Sequence, residues 1–356
     1  MTQTISPAPN ADFEARLAAR FARCGLDDPL LRRMYDLAQT WPAGVESNDA
    51  GSPSGPAPVA DPPLPALELR QALDRLPHLD VAGLLRNDPQ LPPLPQVLEE
   101  LRQITASDRA DLEAIGEVVR RDAGLSAFLL RLVNSAFYSF SAKVDTISRA
   151  VGIIGVKPLY SLALGFVFSE IISHAPKNMP CLAGLWKHSL AVGIAAQAIW
   201  EAQEGREGSE RLFVAGLLHD VGKLTLMCVA PEQARLLYGR SGEQTIMHEL
   251  EEELLGFNHA KLGGLLLKKW NMPASLAAAT HWHHNPQHAS HYKEPLVINQ
   301  ADMLTVALGL GMRPDSPVPA PARQGAVSYA VTPEALDRAA AALATRLEDI
   351  HAAFRA

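Results

Sequence analysis

"LFVAGLLHDVGKL", residues 212–224, runs seven small or apolar residues straight into a histidine and an aspartate. Such a run predicts burial of whatever follows it. A buried carboxylate without a partner is too costly to persist, so something must stand opposite Asp220.

Outward from this stretch the pattern is helix after helix. Leu125, Phe128, Leu129, Leu132 and Val133 form one apolar stripe, and Ile147, Val151 and Ile154 form another. Pro158 suits the first turn of the next helix, where its missing N–H costs nothing. No run of alternating β-branched residues is long enough for a sheet. The expectation is an all-α chain.

Its ends read as appendages. Residues 1–41 form an N-terminal helical segment: Phe13, Leu17, Phe21 and Cys24 recur at helical spacing, and Leu30, Leu31, Met34, Tyr35, Leu37 and Ala38 follow Pro29. Residues 42–65, with seven prolines, read as a flexible linker. Residues 66–90 are a short helical lead-in, one helix around Leu67 to Leu85, before "LPPLP" at 91–95. Residues 312–332 are a second proline-rich linker. The final segment, 333–356, is an amphipathic helix with Thr332 as N-cap and Pro333 in its first turn. Its Leu336, Ala340, Leu343, Leu347, Ile350 and Phe354 alternate by four and three, a coiled-coil-like seam. Two destinations stay open for that seam: a second copy of the chain, giving a homodimer, or the chain's own N-terminal helices.

A 356-residue chain at 47% hydrophobic content and net charge -7 carries no global basic signal, so nucleic-acid binding is not indicated. "MTQTISPAPNADFEARL" lacks the regions of a signal peptide. The most apolar later stretch, Leu159 to Ile172, falls short of the roughly 18 residues of a membrane span and includes Ser161, Ser169 and Glu170. Cys24, Cys181 and Cys228 lie far apart in no paired pattern, which suits a reducing compartment. The expected location is the cytoplasm, with no membrane contact.

Seven of the twelve histidines lie between 188 and 284. In chain order the candidates for metal chemistry are His188, His219 with Asp220, His259, His283 with His284, and Asp302. Imidazole with carboxylate suits a divalent transition ion such as Fe, Mn, Zn or Ni. A bridging Asp220 flanked by imidazoles would serve one or two such ions. Lys223, one turn after His219, could then offset phosphate charge. Competing readings stand beside these: a lone His188 or His259 is more often a hydrogen-bonded helix residue, and Lys223 or a neutral histidine could answer Asp220 without metal. His248, His288 and His291 read as solvated, and His281 as either exposed or a neighbour of the ligands. Asn134 reads as a packing residue, and Arg120, Arg121 and Asp122 as an exposed charged turn.

Several longer stretches carry a resemblance. "VVRRDAGLSAFLLRLVNSAFYSF", "TISRAVGIIGVKPLYSLALG", "WKHSLAVG", "FVAGLLHDVGKL", "ELLGFNHAKLGGLLLKKWNMP" and "HHNP" resemble the HDOD family, HD-related output domains of the HD phosphohydrolase superfamily. The similarity runs from about Leu91 to Gly311. It implies a two-lobed all-α bundle, with a first lobe at 91–180 and an HD-type lobe at 181–311. It also implies a bacterial signalling module that acts through protein partners, with no defined enzymatic activity as the family norm. The superfamily's metal positions carry over as His188, His219, Asp220 and Asp302. The cyclic-di-GMP phosphodiesterase branch, HD-GYP, adds positions matching His259, His283 and His284, and Lys223 matches the lysine of its "HDxGK" motif. If the chain hydrolyses anything, the resemblance makes Asp220 and Lys223 its catalytic residues and a cyclic dinucleotide or nucleotide its substrate. The Gly-Tyr-Pro signature is absent, however, and Asn285 stands where that branch has glutamate.

Overall fold

The computed structural model describes residues 11–41, 62–86, 96–105, 112–134, 143–242, 244–289, 291–313, 315–321 and 329–355. Most of the 42–65 linker, "LPPLP" at 91–95 and the side chain of Phe354 lie outside the described residues. Among the described residues every regular element is a helix, as expected.

The N-terminal segment forms α1 (Ala11–Arg20) and α2 (Pro29–Thr40). The break between them is set by Asp28, whose carboxylate accepts the Leu30 and Leu31 N–H groups, and by Pro29 in the first turn. The lead-in holds two helices rather than one: α3 (Ala66–Asp74) and α4 (Val81–Arg86). Pro77 interrupts the pattern, and the Asp80 side chain caps a new start by accepting from Gly83 N–H at 2.9 Å.

Five helices follow: α5 (Gln96–Thr105), α6 (Leu112–Arg121), α7 (Ala123–Val133), α8 (Ile147–Ile154) and α9 (Val156–His174). They pack on one another, α6 against α8 and α5 against α9, and α9 also meets the next group. Both apolar stripes expected here are buried. Asn134 is structural: its amide donates to Leu130 O and Val144 O, and its carbonyl accepts from Val144 N–H. Arg120 and Arg121 are exposed and pair with Glu117 and Glu100, while Asp122 caps α7.

The remaining core comprises α10 (Leu182–Gln203), α11 (Ser209–Leu218), α12 (Val221–Val229), α13 (Pro231–Arg240), α14 (Met247–Leu255), α15 (His259–Lys269), α16 (Ala274–Trp282) and α17 (Glu294–Ala307). Helix α10 is the axis. It is buried along most of its length, with α11, α17 and the C-terminal α18 (Pro333–Arg355) packed around it. Helices α10 and α11 cross backbone to backbone. A Cβ on Gly216 would lie 2.6 Å from the Gly193 Cα, so neither position has room for a side chain.

Among the described residues one stretch, Ser209–Val229, is long and apolar enough to cross a membrane, and most of it is buried inside the fold. It is this stretch, rather than Leu159 to Ile172, that meets the length criterion. A helix at the centre of a bundle must be apolar all round.

The C-terminal seam turns inward. Leu336, Ala340, Leu343, Leu347 and Ile350 are at most 5% exposed. They pack chiefly against α10, with smaller contacts to α2, α7 and α17. Of the two destinations, the seam takes the chain's own helices, and the main one is the axial α10 rather than the N-terminal pair.

Candidate metal centre

Helix α11 ends at Leu218, and α12 begins at Val221. His219 and Asp220 occupy the joint between two buried helices, and both are at most 1% exposed. Four elements supply the side chains around them. His188 comes from mid-α10, His259 from the first residue of α15, His283 and His284 from the end of α16, and Asp302 from mid-α17.

Asp220 is the hub. Its Oδ2 lies 2.7 Å from Lys223 Nζ, 3.3 Å from His219 Nε2 and 3.8 Å from His188 Nε2. Its Oδ1 lies 3.1 Å from His259 Nε2. On one side His188 Nε2 reaches Asp302 Oδ1 at 3.2 Å; on the other His259 Nε2 and His284 Nε2 are 3.0 Å apart. All seven candidate ligands therefore gather at one interior place. Because the chain breaks its helix at His219–Asp220, Lys223 sits in the first turn of α12 and binds Asp220 directly, closer than the sequence spacing implied.

The close approach of α12 to α15 depends on Gly222. A Cβ there would stand 2.0 Å from the His259 carbonyl oxygen and 2.8 Å from its carbon. Only hydrogen lets the two backbones meet, and that meeting brings His259 to Asp220.

Three of the imidazoles are locked by their outer nitrogens. Nδ1 of His188 lies 2.9 Å from Leu310 O, that of His219 2.6 Å from Gly216 O, and that of His283 2.7 Å from Thr280 O. A carbonyl can only accept, so each Nδ1 carries a proton, and in the neutral ring each Nε2 presents a lone pair inward. His219 Nε2, His283 Nε2 and Asp220 Oδ1 are buried and make no hydrogen bond. Imidazole nitrogens and a carboxylate oxygen of this kind are the donor set that a divalent transition ion takes. Ligand atoms of His188, His219 and Asp302 lie within 4.8 Å of one another, as do those of His219, Asp220 and His283, and those of His259, His283 and His284. The residues fit one or two transition ions, with outer-shell partners already in place.

Electrostatics agree with the geometry. Burial pushes the Asp220 carboxyl up, but His219, Lys223 and His259 outweigh it and hold it well below the usual carboxylate range. Burial likewise opposes ionisation of Asp302, and His188 more than reverses it. Burial and neighbouring imidazoles push His283 and His284 well below the ordinary value, keeping both neutral and able to ligate.

Two residues escaped the sequence reading. Glu251, on α14, is fully buried and accepts from both the Nδ1 and the backbone N–H of His259. The signal was present: Glu251 shares a helical face with Met247, Leu254 and Leu255, so an acid occupies a core position. His248 is not the solvated residue its composition suggested. Its ring stacks on His284 at 3.8 Å between centroids, and burial lowers its pKa to about 4. His288 and His291 are exposed, as expected, and His281 packs on Trp282 beside the candidate ligands rather than among them.

Above the centre lies a small cleft of about 70 Å³, open to solvent on one side. His188, Lys223, His248, His259, His284 and Asp302 line its floor. One wall is a strap that follows α17, with Met312, Arg313, Ser316, Pro317 and Pro319 facing the cleft. Arg313 latches it to the opposite wall: Nη1 donates to Ser241 O and Oγ at 3.1 Å, and Nη2 to Gly242 O at 2.9 Å. Farther on, Val318 N–H donates to Arg20 O at the end of α1. Hydrogen bonds from a charged donor contribute about 1.5–3 kcal/mol. Arg313→Ala is therefore expected to speed amide exchange over 315–321 while α10 and α11 keep their protection, as read by hydrogen–deuterium exchange. Unchanged exchange in the strap would show that Arg313 is not its latch.

The HDOD domain family model matches residues 91–286. The match stops short of Asp302, which joins the set by geometry. A solved HDOD domain protein of unknown function from Geobacter sulfurreducens superposes with a TM-score of 0.59 at 20% identity, covering 81% of this chain and 98% of that one. A candidate phosphohydrolase from Shewanella amazonensis SB2B superposes with a TM-score of 0.57 at 22% identity, covering 77% and 98%. An uncharacterized protein of Treponema pallidum (strain Nichols) is 26% identical over 208 residues, which is 58% of this chain and 40% of that one. This chain thus spans about two fifths of that relative's length.

Proposed function

This chain belongs to the HDOD domain family, and from that premise we propose that it is a regulatory HD-type module built around a centre for two divalent transition ions. The observation that carries the reading is the inward convergence of buried Nε2 atoms whose tautomers are fixed from outside. A merely structural histidine cluster would spend those lone pairs on donors within the protein.

His188, His219 and Asp302 would hold one ion, and His259, His283 and His284 the other, with Asp220 shared between them. Bound there, such a pair supplies Lewis acidity for phosphoester hydrolysis. A second reading, a phosphohydrolase, is favoured by two features. The centre opens to solvent through the cleft above it, and Lys223 stands beside it with its ammonium group available to meet a phosphate oxygen. Asp220 fixes Lys223 in that place, and His248 screens the far edge of the floor. The structural similarity to a candidate phosphohydrolase accords with this, while the missing Gly-Tyr-Pro signature argues against cyclic-di-GMP as the substrate.

Elemental analysis of anaerobically purified protein tests the first reading, with about two equivalents of Fe, Mn, Zn or Ni per chain expected. Protein that holds no ion, even after incubation with each of these metals, would sink it. Assay of the loaded protein against phosphomonoesters, nucleotides and cyclic dinucleotides tests the second. Turnover that Lys223→Ala abolishes without loss of metal supports hydrolysis; no turnover on any of them leaves a regulatory module that uses its ions for structure or sensing.

A further inference from the structure

The two halves of the centre are unlike in their outer contacts. His188, His219 and His283 each give Nδ1–H to a backbone carbonyl. His259 gives its own to a carboxylate, Glu251 Oε2, which also takes the His259 backbone N–H at 2.8 Å. The other oxygen, Oε1, accepts from Tyr238 OH at 2.9 Å. Glu251 and Tyr238 are both fully buried, on α14 and α13, and no solvent-facing role is open to either.

Charge makes the arrangement intelligible. The half around His188 has a carboxylate of its own, Asp302, in direct reach. The half around His259 has three imidazoles and only a share of Asp220. A doubly charged ion there, with the Lys223 ammonium 2.7 Å from that same Asp220, lacks local negative charge. Glu251 supplies it at one remove, through the His259 ring. A carboxylate behind a ligating imidazole raises the basicity of the nitrogen that faces the metal and fixes its direction.

Resting on the two-ion reading, we propose that Glu251, oriented by Tyr238, is the positioning residue that sets the affinity of the His259–His283–His284 half for its ion. It does so without touching the ion. Tyr238 keeps the carboxylate from turning, so that one oxygen stays on His259.

Glu251→Gln isolates the effect. The amide oxygen can accept both His259 N–H groups and the amide nitrogen can donate to Tyr238 Oη, so packing and hydrogen-bond count persist while the charge is lost. The probe is Co²⁺, titrated into metal-stripped full-length protein and followed by its visible absorption and by competition with a chelator. Wild-type protein is expected to take up two equivalents. In Glu251→Gln one equivalent should weaken by about 10–100-fold, the range for outer-shell changes, with the absorption band of that equivalent altered and the other unchanged. Asp302→Asn should weaken the opposite equivalent, which separates a local effect from general loosening. Should Glu251→Gln fail to fold, Tyr238→Phe carries the same test with a smaller shift in the same equivalent.

Wild-type protein with two equivalents and a Glu251→Gln variant with unchanged affinities and spectrum would overturn the proposal alone. Wild-type protein that takes up no Co²⁺ would overturn the two-ion reading and the proposal with it.

Discussion

Asp220→Ala is expected to strip the protein of both ions and to destabilise it heavily. Asp220 faces both imidazole sets, and its two oxygens lie within 4 Å of nitrogens of Lys223, His219, His188 and His259. Removing it leaves the Lys223 ammonium, whose side chain is 10% exposed, without its 2.7 Å partner. Breaking a buried ion pair in this way costs about 3–5 kcal/mol. The two consequences separate by variant. Asp220→Asn keeps the volume and one acceptor for Lys223, so it should recover part of the stability yet still lose metal. Denaturant unfolding and elemental analysis on both variants give the comparison. Retention of a full complement of ions by Asp220→Asn would show that the carboxylate is no bridge.

Gly222→Ala should have the second largest effect, although it adds a single methyl group. The new carbon would meet backbone atoms of His259 and Gly263, at 2.0 Å and 2.9 Å. Backbone cannot rotate away as a side chain can, so α12 and α15 must separate. Overpacking of this kind costs about 1–3 kcal/mol. The separation also draws His259 away from Asp220 Oδ1, now 3.1 Å distant, and loosens one metal half. A fall in Tm together with weaker uptake of one Co²⁺ equivalent is the expected result. A variant that melts like the wild type and loads normally would mean that the approach of the two helices is not tight.

Both predictions rest on features only partly visible in one dimension. The helical class was legible because its signal is local: apolar spacing, the cap at Thr332, and prolines at first turns. The candidate site residues were legible for a similar reason. Histidine and aspartate at the end of the apolar run 212–218 stand out as buried polar groups, and the resemblance named their companions. His248 failed because its exposure depends on whether His284 and the cleft wall arrive beside it. The single helix expected over 67–85 failed because apolar spacing outweighed the stop set by Pro77 and Asp80. The seam at 336–350 shows a third case. Its periodicity announced a buried face, yet the same spacing serves a second chain or the axial helix equally well.

What the sequence determined by itself, then, is which residues must be inside and which of them bear chemistry. Periodicity dictates a buried face, and chemistry dictates that a buried acid needs a counterpart. Only the tertiary structure decided who meets whom: that α10 receives the terminal helix, that Gly222 lets His259 reach Asp220, and that Glu251 stands behind one imidazole and not the others. Those choices come from contacts between segments tens of residues apart, and no local pattern of spacing encodes the distance between two helices that only packing brings together.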